Sequence, residues 1–182
     1  ALTGTNTYSG TTTINQDGGT LALRGSGSIL NSSGITVSVG GILRIDNNSG
    51  GNLTDRISDA ITVTNSGRVH FIGSSSAHSS EYLGTITPAQ NVQSFIEVEN
   101  TSSGSFDSLL TSNALTVGVD RPTQFIGTGL PLTATGRNRL SFTNNPAGLD
   151  DGILPQGVVR GPGNAIDFTT YDSSAEGFAI VP

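Results

Sequence analysis

Asp46, Asn47, Asn48, Asp55 and Asp59 make the densest patch of oxygen-bearing side chains in this chain. Carboxylate and amide oxygens at such spacing could ligate calcium or supply the acid pair of a hydrolase. Asparagine and aspartate also favour turns, because their side chains bond nearby backbone amides. The turn reading is preferred. Asp46, Asp55 and Asp59 stand behind it as candidate calcium ligands, and no other cofactor and no catalytic residue is assigned. The glycine-rich calcium nonapeptide pattern G-G-x-G-x-D is absent.

His70 and His78 are the only histidines, and Ser74, Ser75, Ser76, Ser79, Ser80 and Glu81 lie close in sequence. A nucleophilic triad needs more than proximity, and no G-x-S-x-G turn accompanies them. His70 is expected on the outer face of a strand as a solvated side chain. Asp55 and Arg56 are expected to form a surface ion pair, a contact of little energetic weight. The four N-x-S/T matches, at Asn31, Asn47, Asn52 and Asn100, are what chance gives in a chain so rich in these residues.

Cysteine is absent, and every one of the 8 basic residues is arginine. That removes disulfides, thiol catalysis, thiolate zinc sites and lysine Schiff-base chemistry together. A net charge of −6 argues against nucleic acid, which calls for a basic stripe. No apolar run reaches the ~20 residues of a membrane-spanning helix, so no membrane insertion of this segment is expected. With aromatic content at 5%, no dedicated platform for stacking sugars is expected. The chain opens without a signal peptide, in what reads as the middle of a repeat, so a processed product or a piece of a longer protein is expected.

The elements that would position these residues are short strands. Ile35-Thr36-Val37, Ile61-Thr62-Val63 and Leu115-Thr116-Val117 repeat one pattern, and Leu21-Ala22-Leu23, Leu43-Arg44-Ile45 and Val69-His70-Phe71 follow Gly19, Gly41 and Gly67. Strand, glycine turn, strand, recurring roughly every two dozen residues, is the signature of stacked coils. The alternation places Ile14, Leu21, Leu23, Ile35, Val37, Leu43, Ile45, Ile61, Val63, Val69, Phe71, Leu115 and Val117 in the core, and Ala22, Arg44 and His70 outside. Leu83, Ile86, Ile96, Val98 and Phe125 continue the core more loosely. Segments 74–91 and 99–112 read as longer turns, and Phe106 to Ala114 as the least strand-like stretch, with room for one helical turn. Residues 1–130 are read as the coils. Residues 131–182 are read as terminal strands, a cap or a docking segment of the same domain, because the period weakens after Pro131.

Leu2-Thr3-Gly4-Thr5-Asn6-Thr7-Tyr8-Ser9-Gly10-Thr11-Thr12-Thr13-Ile14-Asn15, continuing through Gly18-Gly19-Thr20-Leu21, resembles the passenger-associated β-helix repeat of bacterial autotransporters. The pattern departs by inserting Gln16-Asp17 before the glycine pair. The segments 52–60, 151–155 and 167–172 resemble units repeated in very large extracellular proteins of planctomycete-like bacteria. The resemblance implies an all-β chain folded as a right-handed parallel β-helix, a solenoid with an irregular C-terminal cap or connector. It also implies a place outside the cell or at the bacterial surface, with no shared catalytic residues to carry over. The expected role is structural rather than enzymatic: a stalk, filament, surface-layer or adhesin module. Its expected partners are copies of itself or adjacent modules stacked head-to-tail, with surface polysaccharide as a further partner. The alternative is a polysaccharide-active enzyme or carbohydrate-binding adhesin on the same fold.

Overall fold

A computed structural model describes residues 1–116, 122–133, 135–146, 150, 152–164, 166–172 and 178–181. Alternating apolar and polar residues, rich in threonine, valine and isoleucine, give short strands with one buried row. One set comprises β1 (Thr12–Ile14), β3 (Ile35–Val37), β5 (Val63–Asn65), β7 (Ser79–Pro88), β9 (Ser108–Leu115) and β11 (Asn138–Phe142). The other comprises β2 (Thr20–Leu23), β4 (Ile42–Asp46), β6 (Arg68–Ile72), β8 (Ser94–Glu99), β10 (Thr123–Thr128) and β12 (Ile153–Arg160). Each set is a parallel ladder in sequence order, so the chain passes alternately from one ladder to the other.

β13 (Ile166–Asp172) and β14 (Phe178–Val181) break this rule. They run antiparallel between β12 and β11 and join the two ladders into one strand order at that end. The parallel pairing itself persists past Pro131, since β11 stays beside β9 and β12 beside β10. At the other end of the order, β1 and β2 are the terminal strands, with Leu2 making a single bridge to Leu23.

Register stacks like on like. Leu21, Leu43, Val69, Ile96, Phe125 and Val159 follow one another across the even strands, as do Leu23, Ile45, Phe71 and Val98. Across the odd strands, Ile35, Val63, Ile86 and Leu115 form a column inside, and Thr13, Thr36, Thr64 and Thr87 form one outside. Close stacking at the corners requires glycine: a Cβ at Gly67 would lie 2.3 Å from the carbonyl oxygen of Gly41. The inserted pair before β2 is absorbed in a turn where Asp17 takes φ 68° and Gly18 φ 84°.

The core follows the alternation. Ile14, Leu23, Ile35, Val37, Leu43, Ile45, Ile61, Val63, Val69, Phe71 and Leu115 are buried in one cluster with Leu83, Ile86, Ile96, Val98 and Phe125. Leu21 differs, being only partly buried, because β2 is a terminal strand of the order. Val117 lies outside the described residues.

Two segments depart from the sequence expectation. Residues 79–88, read as part of a long turn carrying the loose core positions Leu83 and Ile86, form the longest strand, and 108–114, within the stretch read as having room for a helical turn, belong to β9. These two pair with each other, and β11 flanks β9 on its far side. Ladder bonds on both sides of a strand outweigh the weak intrinsic preference of a serine-rich stretch.

Candidate functional site

The outward face of the even ladder gathers the charged groups. Because Val69 and Phe71 point inward on β6, His70 points outward, and because Ile96 and Val98 point inward on β8, Glu97 and Glu99 point outward. Register then sets Arg44, His70 and Glu97 in one column, with Ile72, Glu99 and Thr128 in the next. His70 Nε2 donates to Glu99 Oε2 at 2.9 Å and lies 3.7 Å from Glu97 Oε1. Glu97 is held from two further sides, by Arg68 Nη1 on one oxygen and by the Thr128 hydroxyl at 2.7 Å on the other. Arg68 also lies over the Phe95 ring, 5.3 Å from its centroid.

These contacts correct the reading of His70 as solvated: the residue is 7% exposed and Glu97 is 6% exposed. Long side chains from β8 cover an outer face that the alternation alone leaves open to water. The Glu99 carboxyl is held below its ordinary range, first by the hydrogen bond from His70 and further by the charges of His70 and Arg44, against the effect of burial. A cavity of about 310 Å³ opens beside Glu97, lined by Arg68, Thr128, Gly127, Gly129 and the 160–163 turn.

A second polar cluster lies inside. Arg56 is fully buried, not on the surface, and makes no ion pair with Asp55. Its Nε donates to Asn47 Oδ1 at 2.7 Å, Nη1 to the Gly27 carbonyl at 2.8 Å, and Nη2 to the carbonyls of Gly51 (2.8 Å) and Asp46 (3.2 Å). Glu81, also buried, accepts the backbone N–H groups of Arg56 and Ile57, each at 3.0 Å. The carboxyl group thus takes the place of a neighbouring strand for two amides. Burial pushes Glu81 up to about 8, against the two amide donors and the Arg56 charge, which favour the ionised form.

The three aspartates singled out by sequence do not assemble. Asp46 Oδ1 accepts the amides of Asn48 (3.0 Å) and Ser49 (2.9 Å), which is the turn role. Asp55 and Asp59 are exposed, and the Asp55 carboxyl is raised, first by burial and then by the Asp59 charge. Among the described residues, the group of three metal-ligating side chains is His70, Glu97 and Glu99. His78 lies apart, with Nδ1 accepting the Asp107 amide at 3.1 Å and its ring edge-on to Phe106. Asn47 and Asn100 are buried corner residues whose amides bond the carbonyls of Leu53 and Phe106, so neither presents a glycan acceptor.

Among the described residues, no helix is long and apolar enough to cross a membrane. No family model matches the chain, and no curated protein or solved structure matches it.

Proposed function

We propose that this chain is a structural module of a bacterial cell-surface or extracellular protein, folded as a right-handed parallel β-helix. In this reading it acts as a stalk, filament, surface-layer or adhesin element by stacking on an adjacent module or copy through its β1 edge. The observation that carries the reading is the strand order: two parallel ladders that antiparallel β13 and β14 join at one end, while β1 and β2 are terminal at the other. A closed end stops growth and an open edge invites it. The amide of Thr12 bonds β3, as does the carbonyl of Ile14, so parallel geometry turns the Thr13 amide and carbonyl toward the free side of β1. The resemblance of residues 2–21 to an autotransporter-associated repeat supports the extracellular assignment.

A polysaccharide-active enzyme on this fold would need a close pair of outward carboxylates, and Glu97 and Glu99 are such a pair among the described residues. A glycosidic bond must fit between such carboxyl groups. Here the His70 ring already contacts both, within 2.9 and 3.7 Å, and fills that space. The structural reading is therefore preferred.

Light scattering across a concentration series tests it, with the β1 edge as the variable. Thr13→Pro removes an amide that the parallel ladder does not use. The expected result is concentration-dependent association of the chain, alone or with the module it stacks on, lost in Thr13→Pro without a change in melting temperature. Association that is equal in the two proteins, or a monomer at every concentration with and without an added neighbouring module, overturns the proposal.

A further inference from the structure

We infer that His70, Glu97 and Glu99 form a binding site for a single divalent transition-metal ion of the zinc class. The three ligand atoms come from adjacent strands of a parallel ladder, His70 from β6 and the two glutamates two residues apart on β8. All lie within 4.8 Å of one another. The separations from His70 Nε2 to the two carboxylates, 2.9 and 3.7 Å, bracket the ~3.4 Å between ligand atoms around a tetrahedral ion with bonds of about 2.0–2.2 Å. The third separation, between the Glu97 and Glu99 carboxylates, is within 4.8 Å and must close toward about 3.4 Å, a shift of the partly exposed Glu99 side chain.

The surroundings are those of a built site. Thr128 and Arg68 fix the Glu97 carboxylate by hydrogen bonds to its two oxygens, and each oxygen keeps a lone pair for the ion. His70 and Glu97 are buried, whereas the Glu99 side chain is 28% exposed, so the fourth position faces solvent. The 310 Å³ cavity reaches Glu97 alone of the three ligands, so the partly exposed Glu99 side chain marks the way in for water and ion. One imidazole nitrogen with two carboxylates suits zinc, cobalt or nickel. Calcium takes six to eight oxygens, and three protein ligands here fall well short. On binding, the Nε2 proton leaves that nitrogen, the ring takes its Nδ1–H form, and the hydrogen bond to Glu99 gives way to coordination of both groups. Arg44, which pairs in register with His70, and Arg68 place two positive charges near the ion and lower its affinity without blocking it.

Isothermal titration of the intact chain with zinc chloride tests the inference, with cobalt absorption reporting the geometry. The expected result is one ion per chain, at least tenfold weaker in His70→Ala and in Glu99→Gln, and unchanged in His78→Ala. Glu99→Gln alters a partly exposed side chain, so circular dichroism of that variant keeps the test valid if His70→Ala does not fold. Calcium chloride should give no binding at this site. The inference is overturned if zinc does not bind, if Glu99→Gln binds it as tightly as the parent chain, or if His78→Ala abolishes it.

Discussion

Glu81 and Arg56 show how much a few buried polar residues can demand of an otherwise apolar interior. Arg56 remains a cation at any ordinary pH, so its burial is tolerable only because Asn47 and three backbone carbonyls receive its hydrogen bonds. Glu81 answers the opposite need, offering an acceptor to two amides that no strand covers. Its folded-state pKa lies above its ordinary value of 4.5, at about 8, so the native state holds a proton that the unfolded chain has released between those values. By linkage, this stabilisation is fully present below 4.5 and is lost as pH rises toward 8. Thermal unfolding should therefore show the melting temperature falling by on the order of several degrees from pH 5 to pH 8. Glu81→Gln, which keeps a carbonyl acceptor but cannot ionise, should flatten that dependence. A parent chain with no slope over this range would show that Glu81 is ionised throughout. The sequence did carry a sign of Glu81: with Leu83 inward, a period of two puts Glu81 and Ser79 inward as well. Arg56 carried none, since it sits at a corner beside buried Ile57, where alternation fails.

At the scale of the strand, the inward and outward rows were readable wherever β-branched residues alternate cleanly, as in Ile35-Thr36-Val37 and Val69-His70-Phe71. Position 63 lies between Ile35 and Ile86 in the odd ladder and is fully buried, whereas its neighbour Thr62 is exposed. Val63→Asp should cost about 4 kcal/mol or more, because the carboxylate finds no partner there, and Thr62→Asp should stay within about 0.5 kcal/mol. Urea unfolding of the two variants checks this, and equal losses would mean the faces are assigned backwards. β7 and β9 were harder to read. Serine, threonine and glycine make up half of 79–88, and serine, threonine and asparagine half of 108–115, and such residues signal turns when considered alone. Parallel neighbours supply the bonds that turn chemistry would otherwise provide, and that support comes from residues some thirty positions away. The His70–Glu97–Glu99 group was hidden for the same reason. Each residue's outward direction was legible, but their meeting depends on the register of β6 against β8.

For the molecule as a whole, the ladder spacing lengthens along the chain. The column Leu21, Leu43, Val69, Ile96, Phe125 and Val159 is drawn from positions progressively farther apart, with the added residues placed in turns between the strands. Surface turns absorb insertions at little cost, while the in-register core tolerates none without flipping its faces. The polar site and the stacking edge both depend on that parallel register. Cysteine pairs test it most directly, because the parent chain has none to interfere. Thr36 and Thr64 are register partners on the outer face, and Cα atoms on adjacent strands, about 4.8 Å apart, lie within disulfide reach. Under mild oxidation the Thr36→Cys/Thr64→Cys protein should cross-link completely. Thr36→Cys/Asn65→Cys, one residue out of register and pointing to the opposite face, should remain reduced. Cross-linking of the second pair in preference to the first would contradict the parallel in-register ladder and the site built upon it.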